Sequence, residues 1–385
     1  MEDIVLIHYN EIAIKGKNRN FFEQKLINHI KIVLKEDLLL IKKRYGLFYC
    51  KFKKGSKDRV CKLLKMVPGI AHFSFAIISD LDLEKIKKDS LEFLKEKDFL
   101  TFKVLCKRSY KKFKYKSMEV NMLIGEYILN NLKRKVDIKN PDLNLYIEIG
   151  EKEVFIFSKK IKGLGGLPVG SSSKIICSLS GGIDSPVSAF KMIKRGCDVV
   201  YVHLYNNTLV KREVLSKIRN IVEKLNNYQL NSKLYVVPFS EIQKEIIANI
   251  SSEYRMIIYR RFMFRVINGI SVIENCKGVV TGDSMGQVAS QTLENIFSIY
   301  DVSTIPILTP LIGSDKQEII VVAKEIGTYE ISIIPYPDCC SFMLSLHPQT
   351  KSNLDEIKKL EENILDKELL IENAINKADV FEFKI

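Results

Sequence analysis

The segment whose residue types most directly indicate chemistry is Ser180-Gly-Gly-Ile-Asp-Ser185. It follows the apolar run Ile175–Leu179, which predicts a buried strand, and precedes Pro186, a residue that suits the first turn of a helix. Its two glycines let the backbone approach a ligand closely, and free N–H groups at a helix N-terminus form an anion site. Its two serines add hydroxyl donors. The segment therefore predicts a strand–loop–helix turn that binds phosphate groups.

Asp184, within this segment, is a carboxylate that a simple anion site does not need. It is explained if a divalent cation bridges it to the phosphates. The G-x-x-x-x-G-K-[ST] spacing of a Walker A loop is absent, which excludes that kind of nucleotide site. The alternative is an ordinary Gly-Gly turn between a strand and a helix.

Two adjacent cysteines, Cys339 and Cys340, are the second candidate for chemistry. They lie in Ile334-Pro-Tyr-Pro-Asp-Cys-Cys-Ser341, where the prolines predict an ordered loop that could reach an active site. A cysteine thiolate is a nucleophile and can carry sulfur, and two inert loop cysteines are the alternative. The remaining cysteines occur singly in regular patterns and are expected to be mostly buried: Cys50, Cys61, Cys106, Cys177, Cys197 and Cys276.

The sequence indicates neither an iron–sulfur cluster nor a metal site whose ligands all come from protein side chains. It contains no C-x-x-C pair, and adjacent cysteines are poorly placed to ligate one iron together, which disfavours an iron–sulfur cluster. The five histidines have no ligand spacing: His8, His29, His72, His203 and His347.

Alternating strand and helix patterns in the second half of the chain predict the scaffold for these residues. Such alternation indicates a parallel, doubly wound sheet, which binds ligands at the carboxyl ends of its strands. The predicted strands are Lys174–Leu179, Val199–Leu204, Lys233–Phe239, Gly278–Thr281 and Ile305–Pro306, and the predicted helices are Ser185–Lys194, Arg212–Leu225, Ser240–Asn268 and Lys316–Ile326.

The first half predicts two small α+β units, followed by a linker rich in Gly, Ser and Pro at Lys162–Ser173. The predicted strands are Ile4–His8, Leu47–Phe52, Ile70–Ile78, Thr101–Cys106, Asn144–Ile149 and Glu153–Ser158, and the predicted helices are Asn20–Lys35, Arg59–Met66, Leu83–Lys95 and Ser117–Lys133.

The positive charge of the chain is confined to this first half. The 385 residues carry 60 Lys and Arg against 46 Asp and Glu, a formal net charge of +14. Residues 1–170 hold 36 and 21 of these, whereas residues 171–385 hold 24 and 25. A generally lysine-rich surface would spread the excess evenly. The first half is therefore expected to bind a polyanion, either a nucleic acid or a membrane surface.

Two clusters concentrate this charge. The run Lys107–Lys116 interleaves cations with aromatic side chains, a pattern typical of RNA contact, although a charge run is usually a solvated face. Lys15, Lys17 and Arg19 form a smaller cluster.

Composition bounds the remaining possibilities. With 46% hydrophobic and 28% charged residues, the chain is typical of a soluble globular protein of two or three domains. No basic segment precedes the short apolar run at the N-terminus, and no apolar stretch approaches the roughly 20 residues that span a bilayer. Eight cysteines without regular spacing do not predict a disulfide framework. The cytoplasm is the expected compartment.

The phosphate-binding segment resembles the PP-loop, S-G-G-x-D-S, of enzymes that split ATP between the α and β phosphates and adenylate a carbonyl or amide oxygen. Three further segments resemble the tRNA 4-thiouridine synthetase (tRNA uridine 4-sulfurtransferase) family: Gly165–Gly170, Thr281–Thr292 and Pro310–Glu318. Asn10–Arg19 resembles the N-terminal ferredoxin-like domain of that family, and the segment from Lys103 to Ser117 onward resembles its RNA-binding THUMP domain. The similarity covers essentially the whole chain, in order.

Two features depart from the family pattern. Asn10 stands where the family usually has Gly. The chain stops near residue 385, so the C-terminal rhodanese domain of some members is expected to be missing.

The resemblance implies an α+β N-terminal half, ferredoxin-like plus THUMP, followed by an α/β domain. The latter would be a doubly wound parallel sheet of PP-loop ATP pyrophosphatase type. The implied boundaries are 1–60 for the ferredoxin-like domain, 61–165 for THUMP, 166–173 for the linker and 174–385 for the PP-loop domain.

The resemblance also implies the catalytic residues Cys340, Asp184, Lys316 and Cys339. Cys340 matches the catalytic cysteine of the family better than Cys339, which would be a resolving thiol or a bystander. Lys316 matches a functional lysine that would neutralise charge as pyrophosphate leaves, and an exposed helix lysine is the alternative.

The remaining implied positions bind the nucleotide or the RNA. The nucleotide-binding positions are Ser178, Leu179, Ser180, Gly181, Gly182, Asp184, Ser185, His203, Leu204, Arg260, Gly282 and Gln291, and the RNA-binding positions are Lys15, Lys17, Arg19, Lys107, Arg108, Lys111, Lys112, Lys114 and Lys116. Arg261 stands beside Arg260, and one of such an adjacent pair can be purely structural.

The implied reaction is ATP-dependent sulfur transfer to uridine 8 of tRNA, with Mg²⁺ at the PP-loop. Uridine O4 would be adenylated, and a persulfide on Cys340 would deliver sulfur to C4, either directly or by releasing sulfide. The expected sulfur donor is a separate cysteine desulfurase. The family also implies a homodimer and a role in thiamine thiazole synthesis. The alternatives are another PP-loop tRNA enzyme, acting on a different base or making lysidine, and a non-catalytic RNA-binding protein with a decayed nucleotide domain.

Overall fold

The computed structural model of the chain describes residues 3–44, 46–206, 212–335 and 345–384. They form two compact units, Met1–Leu167 and Pro168–Ile385. Residues 168–170 are uncharged, so the whole positive excess lies in the first unit. No helix among the described residues is both long and apolar enough to cross a membrane.

The first unit alternates strands and helices. Its strands are β1 (Asp3–His8), β2 (Leu38–Arg44), β3 (Leu47–Phe52), β4 (His72–Ser79), β5 (Thr101–Arg108), β6 (Lys135–Val136), β7 (Leu143–Ile149), β8 (Val154–Phe157) and β9 (Ile161–Lys162), and its helices are α1 (Arg19–Leu34), α2 (Lys57–Leu64), α3 (Leu83–Lys95) and α4 (Ser117–Asn131).

These strands form one continuous sheet in the order β2-β3-β1-β4-β8-β7-β5-β6, with β9 beside β4. The eight residues of β4 make the sheet continuous, because its first part pairs with β1 and Ile77–Ser79 pair with β8. Two helix-backed cores lie on this sheet, one containing Leu26 and Val60 and the other Ile86 and Ile124. The two predicted α+β units therefore share a single sheet. Strand β2 was not predicted.

The second unit begins with β10 (Ile175–Ser178) and ends with β15. Its remaining strands are β11 (Val199–Tyr205), β12 (Asn231–Pro238), β13 (Val279–Val280), β14 (Ile307–Leu308) and β15 (Asp379–Lys384). Its helices are α5 (Asp184–Ile193), α6 (Arg212–Gln229), α7 (Ser240–Asn249), α8 (Arg255–Ile273), α9 (Leu293–Tyr300), α10 (Lys316–Ile326), α11 (Tyr329–Ser332), α12 (Leu354–Glu361) and α13 (Lys367–Asn376).

The sheet of the second unit confirms the predicted α/β class. Its order is β14-β13-β10-β11-β12-β15, and the pairs from β14 to β12 are all parallel. Strand β10 lies between β11 and β13 and is parallel to both. The loops that follow these three strands therefore lie together at the carboxyl end of the sheet. Strand β15 is an antiparallel edge that the sequence did not predict.

Two predicted elements were wrong. The predicted helix Ser240–Asn268 is two helices, because the backbone is extended at Ile250 and the serines that follow favour turns over helix. The Arg255 side chain donates to the Ile250 carbonyl at 2.8 Å and so helps to cap α7. The last predicted strand, Ile305–Pro306, lies two residues later, at β14.

The buried carboxylate of Glu274, directly after α8, links the end of this helix to the amino ends of β10 and β12. Glu274 accepts hydrogen bonds from Lys233 Nζ at 2.8 Å, Tyr235 Oη at 2.7 Å and Lys174 Nζ at 3.2 Å. Burial alone would raise the pKa of Glu274, but the hydrogen bonds from these three groups outweigh it and lower the pKa to about 2. An unfolded glutamate titrates near 4.3. The network therefore stabilises the fold above that pH and is lost as the pH falls toward 2.

We expect Glu274→Gln to lower the free energy of unfolding at pH 7 by about 1–2 kcal/mol, because charge-assisted hydrogen bonds are replaced by neutral ones. The difference from wild type should shrink as the pH falls from 5 to 2. Thermal unfolding monitored by circular dichroism across this range measures it. Glu241→Gln, which removes an exposed carboxylate paired with Lys377, is the matched control and should leave the melting temperature nearly unchanged at each pH. A Glu274→Gln difference that does not depend on pH would contradict the account.

Candidate active site

The predicted phosphate-binding turn joins β10 to α5, with Pro186 in the first turn of the helix as expected. Its two serines hold the turn together: Ser180 N–H donates to Ser185 Oγ at 2.9 Å, and the two hydroxyl oxygens are 3.0 Å apart. The Gly182 N–H donates to Ser180 Oγ at 3.3 Å, so this amide is partly engaged within the loop.

Asp184 and Lys316 meet at this turn, although 132 residues separate them in sequence. Lys316 Nζ donates to Asp184 Oδ1 at 2.6 Å, and Gln287 Nε2 donates to Oδ2 at 3.1 Å. Lys316 is the first residue of α10, whose N-terminus is capped by Asp315 in a capping box with Glu318. A lysine is electrostatically unfavourable at the positive end of a helix, and the Asp184 carboxylate offsets this cost.

The loop before α10 is held against the rest of the site. Lys191 on α5 donates to the Pro310 carbonyl at 3.3 Å, and Ser284 Oγ donates to the Ser314 carbonyl at 2.9 Å. These contacts fix the start of α10, and therefore Lys316, beside the turn.

A cavity of about 380 Å³ lies next to the turn. Seven of the predicted nucleotide-binding residues line it: Ser178, Ser180, Asp184, Ser185, Arg260, Gly282 and Gln291. An apolar wall comes from α8, including Met256, Met263 and Phe264. The cavity thus combines the polar groups that are predicted to bind phosphate with an apolar surface of the kind that accommodates a nucleobase.

Gly282 has a steric role at this place. A Cβ there would lie 2.7 Å from the Ser185 backbone nitrogen, which is closer than real Cβ atoms approach. A glycine therefore lets the loop after β13 pack directly against the start of α5.

The adjacent arginines of α8 point in different directions, because successive helix residues are about 100° apart. Arg260 lines the cavity and donates to Asp283 Oδ2 at 2.6 Å. Arg261, by contrast, is 1% exposed and donates to Glu361 at 3.0 Å. Arg261 is thus a structural residue, and Arg260 faces the site.

Sequence reasoning missed Asp283, which is buried on the cavity wall. Burial raises its pKa, but the charge of Arg260 and the hydrogen bonds from Tyr300, Arg260 and Gln291 outweigh this, and the pKa lies below its ordinary value. The available signal was a carboxylate in Thr281-Gly-Asp directly after a buried strand.

Three predicted nucleotide-binding residues have their side chains in the interior. Leu179, His203 and Leu204 are at most 4% exposed, and none of them lines the cavity. His203 Nδ1–H donates to the Leu179 carbonyl at 2.9 Å, which joins the ends of β10 and β11. Their role in nucleotide binding stays a prediction.

Cys339 and Cys340 lie outside the described residues. Described residues on either side are anchored: buried Lys217 donates to the Ile334 carbonyl at 2.8 Å, and Asn295 Nδ2 donates to the Gln349 carbonyl at 2.8 Å.

Burial argues against a nucleophilic role for most of the other cysteines. It raises the pKa of Cys50 and Cys177 to about 12 and that of Cys106, Cys197 and Cys276 to about 11. A thiol with such a pKa is not a thiolate at neutral pH. In the described part of the chain, no group of three or more His, Cys, Asp or Glu could hold a metal ion.

The predicted RNA-binding lysines of the first unit are mostly exposed: Lys17, Lys107, Lys111, Lys112, Lys114 and Lys116. The two arginines are engaged in the fold, since Arg19 donates to Glu23 at 2.9 Å and Arg108 donates to the Phe113 carbonyl at 3.0 Å. Lys15 lies over the Phe22 ring, 5.0 Å from its centroid.

The aromatic part of the RNA prediction needs correction. Phe113 is 8% exposed and belongs to the hydrophobic core, against which Tyr110 and Tyr115 also pack. Phe113 is therefore not available to stack on a base, because its hydrophobic burial holds this loop on the domain.

The parallel sheet, the turn Ser180–Ser185 and the cavity beside it define a PP-loop domain of the ATP pyrophosphatase type. A family described as "Thiamine biosynthesis protein (ThiI)" matches residues 170–365, the ThiI ferredoxin-like domain matches residues 4–74, and the THUMP domain matches residues 81–159.

Full-length relatives identify the family. The chain is 40% identical over 375 residues to a probable tRNA sulfurtransferase of Caldanaerobacter subterraneus subsp. tengcongensis, covering 97% of this chain and 98% of the relative. It is 39% identical over 384 residues to one from Brevibacillus brevis, covering 99% and 96%. The chain belongs to the ThiI family of tRNA sulfurtransferases and is a sulfurtransferase.

Two solved structures are similar over most of the chain. One, described as a 4-thiouridine synthetase–RNA complex with bound ATP, has a TM-score of 0.90 at 36% identity and covers all of both chains. The other, PH1313 from Pyrococcus horikoshii, has a TM-score of 0.67 at 27% identity, covering 84% of this chain and 99% of that one.

We expect Arg260→Ala and Arg261→Ala to have different consequences. Arg260→Ala should weaken the binding of a nucleoside triphosphate at least tenfold, and it should also lower the melting temperature because the buried Asp283 carboxylate loses its charged partner. Arg261→Ala should destabilise the second unit by about 3 kcal/mol, because it leaves the buried Glu361 carboxylate with fewer partners, while the folded protein keeps its affinity. Titration calorimetry and thermal unfolding of both variants measure these effects. Weakened binding by Arg261→Ala alone would contradict the assignment.

Proposed function

We propose that this enzyme uses ATP to transfer sulfur to uridine 8 of tRNA, giving 4-thiouridine. The meeting of Asp184 and Lys316 at the turn after β10 carries this proposal, because a nucleotide-activating site needs both a cation and a metal-binding carboxylate at the phosphates. The similarity to a 4-thiouridine synthetase–RNA complex with bound ATP supports it over the whole chain.

Activation of the uridine is the first step. O4 of the base attacks the α-phosphorus of ATP, the bond to the β-phosphate oxygen breaks, and pyrophosphate leaves. Lys316 exchanges its partner from Asp184 to the phosphates and neutralises the charge of the departing pyrophosphate. The hydroxyls of Ser180 and Ser185, which line the cavity, would then donate to phosphate oxygens.

The residues at the turn fit Mg²⁺. Magnesium in nucleotide sites takes one or two carboxylates, phosphate oxygens and water, and Asp184 supplies one partly exposed carboxylate beside the cavity. Bound Mg²⁺ would offset the negative charge of the phosphates. Asp184 is then the residue that holds it.

Sulfur delivery is the second step. The terminal sulfur of a Cys340 persulfide attacks C4, and AMP leaves with the former O4. A second thiol attacks the resulting mixed disulfide and releases 4-thiouridine, which leaves an enzyme disulfide that an external thiol must reduce. Cys339 is the adjacent candidate for this resolving thiol. In the other route, a thiol first reduces the persulfide to sulfide, which attacks C4 itself.

We assign the tRNA to the first unit, whose excess of positive charge includes exposed Lys111, Lys112 and Lys114. A cysteine desulfurase is the proposed donor of the persulfide sulfur. The homodimer stays a prediction from the family resemblance.

A second product is favoured by one observation, the description of the matching family as a thiamine biosynthesis protein. The same persulfide would then supply sulfur for the thiamine thiazole. Thiamine-free growth of a strain that lacks the protein tests this role separately from the tRNA reaction.

Nucleoside analysis tests the main function and the sulfur carrier together. Purified enzyme, ATP, Mg²⁺, a cysteine desulfurase, cysteine and unmodified tRNA should yield 4-thiouridine at position 8, detected by mass spectrometry of the digested tRNA. We expect Cys340→Ala to lower the rate at least 100-fold, because the persulfide has no attachment site. Cys177→Ala, which removes a buried thiol outside the proposed chemistry, is the matched control.

Cys339→Ala tests the resolving thiol. If Cys339 resolves the mixed disulfide, this variant should form about one AMP per enzyme and release no 4-thiouridine, because the tRNA stays bonded to Cys340 through the disulfide. Continued release of 4-thiouridine would show that Cys339 is not the resolving thiol. Full activity of Cys340→Ala would refute the assignment of the carrier, and absence of 4-thiouridine with the wild-type enzyme would refute the function.

A further inference from the structure

Asp283 gathers an unusual set of donors on the cavity wall. Its carboxylate accepts from Arg260 Nη2 at 2.6 Å, Tyr300 Oη at 2.5 Å, Thr281 Oγ1 at 2.9 Å and Gln291 Nε2 at 3.0 Å. The residue is 5% exposed. A buried carboxylate with partners from several segments has one fixed position, so the groups that donate to it are fixed as well.

The carboxylate determines how the Gln291 amide is turned. An ionised carboxylate only accepts hydrogen bonds, so the NH₂ end of the amide must face Asp283. The other end, Gln291 Oε1, is buried and has no hydrogen-bond partner among the described residues. A buried acceptor without a partner is unfavourable, and a ligand donor in the cavity that Gln291 lines would satisfy it.

The carboxylate also restrains Arg260. The guanidinium donates to Asp283 and, through a weaker bond from Nη1, to the Ser290 carbonyl at 3.3 Å. These two bonds fix the guanidinium on the cavity wall, which Arg260 lines.

We propose that Asp283 is a positioning residue of the nucleotide site, which acts through Arg260 and Gln291 and not by touching the nucleotide. It holds the Arg260 guanidinium as a fixed cation for phosphate. It holds the Gln291 amide so that Oε1 accepts from an N–H or O–H donor of the nucleotide. The inference rests on the proposed function, because that function makes ATP the nucleotide that binds here.

Calorimetric titration of the full-length protein with ATP and Mg²⁺ tests this role, with the melting temperature measured for each variant. Asp283→Asn should raise the Kd for ATP at least tenfold, because an asparagine can present N–H groups to Arg260 and to Gln291. In the Arg260→Ala, Gln291→Ala background, adding Asp283→Asn should change the Kd less than twofold. Tyr300→Phe removes one hydroxyl that donates to Asp283 and should raise the Kd two- to fivefold. This variant provides the test if Asp283→Asn does not fold.

Asp301→Asn is the matched control. It removes a carboxylate that pairs with the structural Arg261 and does not line the cavity, so it should alter the melting temperature and leave the Kd unchanged. The proposal is overturned if folded Asp283→Asn binds ATP like wild type, or if Tyr300→Phe does so where Asp283→Asn does not fold. It is also overturned if Asp283→Asn weakens binding equally in the double-alanine background. Failure of the wild-type protein to bind ATP would instead refute the proposed function.

Discussion

The ion pair between Asp184 and Lys316 is the interaction on which the site depends. It forms only because β10 and β14 end at the same sheet edge, with β13 between them. The parallel order of the strands thus determines that a helix starting at residue 184 and another starting at residue 316 present their first residues to each other. In this arrangement the charges of Asp184 and Lys316 neutralise each other. When a polyphosphate binds with its metal ion, Lys316 would pair with the phosphates and Asp184 with the metal. This exchange of partners is the basis of the proposed activation step.

The charges around the cavity are divided between binding and structure. Arg260 and Arg261 are adjacent in sequence, but only Arg260 faces the cavity, whereas Arg261 joins α8 to α12 through Glu361. The same division occurs in the first unit, where Arg19 and Arg108 hold local structure and the neighbouring lysines are exposed. Arginine suits the buried roles because its guanidinium makes several directed hydrogen bonds, and lysine suits a flexible contact with phosphates.

Local sequence patterns were sufficient for the parts of the fold that depend on local physics. The turn Ser180–Ser185 combines an apolar run, small residues and a proline, so its strand–loop–helix form could be predicted from neighbouring residues alone. Helix α10 was predicted with its observed bounds for the same reason. The long helix predicted over Ser240–Asn268 was wrong because a run of apolar residues on both sides concealed the break at Ile250.

Long-range contacts could not be predicted in this way. The role of β4 in joining two α+β parts depends on which strands pair with its two ends. The partners of Asp283 are Arg260, Gln291 and Tyr300, which lie on separate segments that only the tertiary fold brings together. The interior position of His203 and Leu204 follows from the packing of the sheet and not from their place at a strand end.

The central claim is that the uridine oxygen becomes bonded to the α-phosphate before sulfur arrives. The most direct test uses tRNA labelled with ¹⁸O at O4 of uridine 8, incubated with the enzyme, ATP, Mg²⁺ and a persulfide source, followed by mass spectrometry of the nucleotide products. The account predicts one ¹⁸O atom in each AMP for each 4-thiouridine formed, with unlabelled pyrophosphate. Formation of 4-thiouridine with unlabelled AMP, or with ADP and phosphate as the products, would contradict it.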